Sequence, residues 1–306
     1  MSALPPRSAE ADAPTVVTLG ESMALVTPTT RQPLRTAEHF TVGIGGAEST
    51  VALYLTGLGH RAAWVSAIGA DPLGARLVDE VSRHGVDVRW VAVDPAAPTG
   101  VYFKDPGPDG TTVHYYRAGS AASRMGPEVL DRVDLRGVRV LHLTGITSAL
   151  SGSCARLTDA AIAAARDAGA LVSFDVNHRA GLWSHAEAAP ELARLSSAAD
   201  LVFVGRDEAE GLWGESDAIR LYARLGLRGT LVVKDGALGA TEFDGATATF
   251  EPAVPVQVVE PVGAGDAFAA GYLSAMLGGQ DVVDRLGFGH RTAARALAST
   301  QDFVPA

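Results

Sequence analysis

The chain has 306 residues, 47% of them hydrophobic, which suits one large α/β domain or a domain with an insert and excludes general disorder. Its formal net charge of -10 argues against nucleic acid and anionic membrane as partners, so any anionic small substrate must be met by locally placed arginines. The single cysteine, Cys154, excludes an intrachain disulfide framework and fits a reducing cytosol, where it packs a helix.

MSALPPRSAEADA (1–13) is rich in Pro, Ala and polar residues and has no apolar h-region. It reads as a disordered tail ahead of a single domain over 14–306, not as a signal peptide. No run reaches transmembrane length, so a soluble, cytoplasmic protein is expected. Strand-like runs follow at 15–21, 62–69, 138–146, 170–177, 200–205 and 230–236. Helix-length amphipathic runs lie near 49–58, 73–84, 153–168, 216–225, 265–277 and 286–298. Several strands are almost continuously apolar, as when helices cover both faces of a sheet. The pattern predicts an α/β fold built on a doubly wound parallel sheet.

Two segments, 35–46 and 99–117, hold strand-like runs with no crossover helix after them. In the second, VYFK (101–104) and TTVHYYR (111–117) flank the turn-rich DPGPDG (105–110), which predicts a β-hairpin. Such a flap serves as a lid over a crevice or as an exposed decoration, and periodicity leaves both open. Because VYFK alternates, either Tyr102 or Phe103 could face the crevice.

The stretch VVEPVGAGDAFAAGYLSAML (258–277) carries the most chemistry. VPVQVV (254–259) alternates like a strand, and Phe268, Tyr272, Ala275 and Met276 recur at helical spacing. Between them Gly263, Ala264 and Gly265 leave the backbone almost bare just before Asp266. Unpaired N–H groups at a helix start attract anions, and glycines let a phosphoryl group approach them. An aspartate there either caps the helix or accepts a proton from an attacking hydroxyl while the N–H groups hold the transferring phosphoryl. No Gly-Lys pair occurs, which excludes a Walker A loop. GIGGAE (43–48) has Glu48 where a dinucleotide fingerprint needs its last glycine. The eight histidines show no zinc-ligand spacing.

GIGGAESTVALYLTGLG (43–59), VVKDGALGA (232–240) and GAGDAFAAGY (263–272), in this order, resemble the ribokinase-like (phosphofructokinase B-type) carbohydrate kinases over nearly the whole chain. The resemblance implies a parallel α/β core with helices on both faces and a small β lid. It implies ATP-dependent phosphorylation of a sugar hydroxyl with Mg²⁺, Asp266 being the base and Gly263, Ala264 and Gly265 the anion hole. ATP would lie over VVKDGALGA and against the C-terminal helices, with Gly236 and Gly239 allowing backbone approach and Lys234 neutralising phosphate charge. Glu208 of GRDE (205–208) would organise Mg²⁺ through water, although Gly205 stands where the family has Asn. Glu260 and Pro261 replace the family's Asp-Thr, which bears on any monovalent-cation site. From its position alone, Glu208 is equally well an exposed glutamate at a helix start.

HYYRAGSAASRM (114–125) and FDVNHRAGLW (174–183) address the substrate. Tyr115 and Arg117 share one face of a probable strand. Asp175, Asn177 and Arg179 follow a strand's carboxyl end, which opens on the ligand crevice of such sheets. Two arginines on one crevice suit a substrate carboxylate; otherwise Arg117 is a solvated lid charge and Arg179 pairs with Asp175. These stretches resemble the branch of the family acting on 2-keto-3-deoxy sugar acids, with Gly46, Tyr102, Tyr115, Arg117 and Arg179 at the sugar and its primary hydroxyl as acceptor. Thr50, where many members have Asn, is compatible with a substrate one hydroxyl short. A kinase for a neutral sugar, or a non-catalytic sugar-binding protein, are the alternatives. Family lids pair edge to edge, which implies a homo-oligomer formed through the lid.

Overall fold

The computed structural model describes residues 13–299 apart from 109, together with 303 and 304, so the tail expected over 1–13 lies outside the described residues except for Ala13. The chain opens with strands β1 (Val16–Leu19), β2 (Met23–Pro28) and β3 (Phe40–Gly45), then helix α1 (Ala47–Gly57), β4 (Ala62–Gly69), α2 (Pro72–Arg83) and β5 (Val91–Asp94). A hairpin follows, β6 (Val101–Gly107) and β7 (Gly110–Tyr116), then β8 (Val140–Thr144), α3 (Gly145–Leu150), α4 (Gly152–Asp167) and β9 (Leu171–Asp175). The rest is α5 (His185–Ala198), β10 (Leu201–Gly205), α6 (Arg206–Trp213), α7 (Ala218–Leu225), β11 (Thr230–Asp235), β12 (Gly239–Phe243), β13 (Ala248–Pro252), α8 (Ala264–Leu277) and α9 (Val282–Leu297).

The larger sheet has nine strands in the order β13-β12-β11-β10-β9-β8-β1-β4-β5. Neighbours from β5 to β11 run parallel, and β12 and β13 add an antiparallel edge. Helices α1, α2, α8 and α9 pack on one face and α4 to α7 on the other, each over its own apolar layer. β4 and β8 are therefore buried along their whole length, which explains why their runs are apolar apart from the buried Ser66, His142 and Thr144. Local signals agree with these elements. Asp71 caps α2 by accepting from the Leu73 and Gly74 amides at 3.0 and 2.8 Å, with Pro72 in the first turn.

A second sheet of four strands, β3-β2-β6-β7, forms the lid. Here the boundaries differ from expectation. β3 fills only 40–45 of the expected 35–46, and its partner β2 lies outside every expected strand, the first of which is expected to run to 21. The chain instead turns at Gly20 and enters the lid at Met23. In the hairpin, Asp105, Pro106 and Gly107 belong to β6 and pair with Thr112, Thr111 and Gly110, so the expected six-residue turn is mostly strand. Asp109 lies outside the described residues.

The strand expected at 254–259 is coil. Val254, Val256 and Val258 line the central cavity, and so does Pro255 between them. Among the described residues no helix is long and apolar enough to cross a membrane.

Candidate active site

The carboxyl ends of β1, β9, β10 and β11, the start of α8 and the inner face of the lid enclose one cavity of about 960 Å³. The expected base, anion-hole, sugar, nucleotide and Mg²⁺ residues all line it, whereas Thr50 and Glu260 do not. Gly263, Ala264, Gly265 and Asp266 come from the start of α8, Glu208 from α6, and Lys234, Gly236 and Gly239 from β11 and its turn into β12. Gly46, Tyr102, Tyr115, Arg117 and Arg179 stand at the lid side and beyond β9.

Gly263 is the N-cap of α8 and has φ 83°, a left-handed conformation that favours glycine. Asp266 is therefore the third residue inside the helix and does not cap it. The first amide to bond within the helix is that of Ala267, to the Gly263 carbonyl at 2.9 Å, and the Ala264 amide makes a long 3.4 Å contact to Pro261. The turn thus carries amides that a helix cannot satisfy internally. Burial, then the nearby Asp175 carboxylate, push the Asp266 carboxyl up to about 7, against the pull of Arg179 and Lys234. The Asn177 amide reaches its Oδ1 at 3.5 Å. Asn177 is also the one described non-glycine residue with a left-handed φ, 42°, the kind of strain that gathers at functional sites.

Asp175 is not the partner of Arg179. Its Oδ2 accepts from Lys234 Nζ at 2.6 Å, and its buried Oδ1 has no hydrogen-bond partner. Burial presses the Lys234 ammonium down, but Asp175 and Glu208 outweigh it and hold the group above its ordinary value. Lys234 is therefore a charge already committed to Asp175. Arg179 donates to the His178 carbonyl at 3.0 Å and stands 3.9 Å from Glu208, with a side chain that is 42% exposed.

Glu208 is no exposed helix-start residue. Its Oε2 accepts from the Gly205 amide at 2.8 Å, and burial followed by Asp175 raises its pKa. A Cβ on Gly205 would stand 3.1 Å from that oxygen, so the glycine leaves room for the carboxylate. Among the described residues no group of three or more His, Cys, Asp or Glu could hold a metal ion by itself. Mg²⁺ needs only one or two carboxylates when phosphate oxygens and water complete its octahedron. Glu208 and the unpartnered Oδ1 of Asp175 fit that requirement.

Arg117 is not a solvated lid charge. It is buried, and its Nε donates to Glu21 Oε2 at 2.6 Å, with Nη2 on the same oxygen. Tyr102 stacks on Tyr115 with ring centroids 5.7 Å apart, whereas Phe103 packs against Tyr116 on the other face of the lid. This settles which of the alternating pair faces the cavity. Gly46 and Gly239 act through packing. A Cβ on Gly46 would lie 2.4 Å from the Glu21 carbonyl, and one on Gly239 2.3 Å from the Glu251 carbonyl. Gly236, with φ 51°, has open space beside it.

Sequence reasoning missed Glu21 and the apolar lobe formed by Val254, Val258, Ala293 and Leu297 beside His290. Glu21 was findable, because it follows the carboxyl end of the first parallel strand. Glu260 accepts from the Val262 amide at 3.3 Å and lies 3.8 Å from the ammonium of Lys104, a lid residue.

A lidded parallel sheet with an acid and bare amides at the start of a late helix defines a phosphotransferase site for a small hydroxylic substrate. The chain belongs to the pfkB family of carbohydrate kinases, whose family model matches residues 13–303. It is 36% identical over 274 residues to the 2-dehydro-3-deoxygluconokinase of Thermoproteus tenax, covering 87% of this chain and 83% of the relative. It is 34% identical over 287 residues to the 2-dehydro-3-deoxygalactonokinase of Haloferax volcanii, covering 91% and 89%. The crystal structure of a PfkB protein from Polaromonas sp. JS666 superposes with a TM-score of 0.86 at 35% identity, covering 94% of this chain and 97% of that one. The protein is thus a sugar phosphotransferase.

Proposed function

We propose that this sugar kinase phosphorylates the primary C6 hydroxyl of 2-keto-3-deoxygluconate with MgATP, giving 2-keto-3-deoxy-6-phosphogluconate. The observation that carries the reading is the pairing of two features in one cavity. Asp266 sits in the first turn of α8, and Arg117 at the root of the lid and Arg179 beyond β9 line the same cavity. Likeness to relatives named for keto-deoxy acid kinases supports the same substrate class.

The sugar lies under the Tyr102–Tyr115 stack with its carboxylate toward the arginines, a geometry that guanidinium groups recognise well. Its far hydroxyl then reaches Asp266. With a pKa near 7, that carboxylate is basic enough to take the hydroxyl proton and still be ionised in part at neutral pH. The amides of Gly263, Ala264 and Gly265 gather the charge on the transferring phosphoryl. ATP follows the β11–β12 turn past Gly236, with its base in the lobe of Val254, Val258, Ala293 and Leu297. Mg²⁺, when bound with the nucleotide, would be held through Glu208 and Asp175 and would supply charge neutralisation at the phosphates. Lys234 fixes Asp175 and adds positive charge at the phosphate end. The lid pairs with that of a second copy, and the enzyme works in the cytoplasm.

An ADP-release assay across keto-deoxy acids, aldonic acids, fructose and ribose tests the substrate. The highest kcat/KM is expected on 2-keto-3-deoxygluconate or its C4 epimer. Arg179→Ala removes a charged contact worth ~1.5–3 kcal/mol and should cut kcat/KM on the acid by ~10–100-fold. Any neutral ketose should lose far less. Equal losses on both, or fructose as the best wild-type substrate, would defeat the acid-sugar reading.

A further inference from the structure

The four lid strands have their roots at one residue that the chemistry above does not use. Glu21 lies between β1 and the start of β2, with its side chain fully buried. The end of β3 reaches it through Gly46, where a Cβ would stand 2.4 Å from the Glu21 carbonyl. The start of β6 reaches it through Gly100, where a Cβ would stand 2.9 Å from Glu21 Oε1. Just past the end of β7, Arg117 gives Nε and Nη2 to Oε2, and Ser120 gives its hydroxyl to Oε1 at 2.6 Å. The loop between them is clipped shut: the Ser120 amide donates to the Arg117 carbonyl at 3.0 Å, and Ser123 donates to Ser120 twice. Two glycines and two donor side chains therefore converge on one glutamate at the cavity wall, Gly46 at its backbone carbonyl and the rest at its carboxylate.

We propose that Glu21 is the positioning residue for Arg117 and sets how the enzyme binds its sugar. Two of the three guanidinium nitrogens are committed to Glu21, so the remaining edge has one direction, into the cavity that Arg117 lines. The Tyr115 ring, 5.5 Å from the guanidinium carbon, holds the same plane from the side. A long side chain that would otherwise sample many rotamers is thereby presented to the substrate in one, which lowers the ordering cost of binding. The pairing also cancels the charge of Arg117 before substrate arrives. Arg117 then selects by direction, and Arg179, more exposed and loosely held, selects by charge. The proposal rests on the reading that Arg117 meets the sugar.

Steady-state KM values for sugar and for MgATP, with kcat, test it in wild type, Glu21→Gln, Arg117→Ala and the double variant. Glu21→Gln should raise the sugar KM by ~10-fold or more, the worth of one charge-assisted hydrogen bond, and leave the MgATP KM within about twofold. In the Arg117→Ala background the same change should add less than about twofold, because its target is gone. Ser120→Ala leaves the ion pair intact and should shift the sugar KM in the same direction by a smaller factor. Should Glu21→Gln fail to fold, Ser120→Ala and its cycle with Arg117→Ala carry the test. An unchanged sugar KM in the folded variants, or a full-sized effect without Arg117, overturns the proposal. The assay uses whichever sugar the wild type phosphorylates best. A neutral preferred sugar would therefore defeat the acid-sugar reading, while the coupling of Glu21 to Arg117 would still be measured.

Discussion

Asp266 shows how much one carboxyl depends on its neighbours. Burial and Asp175 push its pKa up to about 7, while Arg179 and Lys234 pull the other way. A base must be ionised to act, so kcat/KM should rise with pH through an apparent pKa near about 7 and level off above it. Asp266→Asn should lose ~10²–10⁴ in kcat and bind sugar as before, and near-wild-type turnover would remove Asp266 as the base. Stability gives an independent reading. The folded pKa lies above the ordinary 3.8, so the native fold favours the protonated acid and loses stability as pH climbs from 3.8 through about 7. Asparagine has no such loss, so thermal melts should show Asp266→Asn gaining on wild type between pH 5 and pH 8.

Helix α8 explains why alanines and Gly271 stand between the large side chains Phe268 and Tyr272 after Asp266. It is packed among the sheet, α1 and α9, and a Cβ on Gly271 would stand 2.4 Å from Thr292 Oγ1 and 2.8 Å from the Phe288 carbonyl of α9. From α9, Gly289 admits the Phe268 ring in the same way. Small residues there let two helices close on each other and so fix the angle at which the anion-binding turn meets the sheet. Gly271→Ala should cost about 1–3 kcal/mol by overpacking, read as a lower unfolding midpoint. If α9 moves aside to relieve it, the sugar KM should change little while kcat falls. The helix itself was legible from its spacing and its glycine-rich approach. The coil before it was not, because its alternating valines read as one face of a strand, whereas they line the cavity as coil.

At the scale of the molecule, the lid is both the cover of the site and an unfinished sheet. β3 and β7 are its edges, and Phe40 and Tyr116 are exposed on the face turned away from the cavity. An open edge with apolar side chains favours pairing with another sheet. Sedimentation should therefore detect a homo-oligomer that Tyr116→Lys shifts toward monomer, and a monomeric wild type would reject lid pairing. Arg76 of α2 already donates to the Val42 carbonyl of β3 at 2.6 Å, which ties one edge to the core.

The linear chain by itself determined the parallel core, the lid hairpin and many of the polar side chains around the cavity, though not Glu21. Each of these is written in local terms: apolar periodicity, glycine before a helix, polar residues where a strand ends. Only the tertiary structure decided the partners. Asp175 goes to Lys234 and not to its near neighbour Arg179, and Arg117 is claimed by Glu21 from 96 positions away. Ion pairing follows distance in space, and a residue's place along the chain carries no information about which opposite charge the fold will bring within reach.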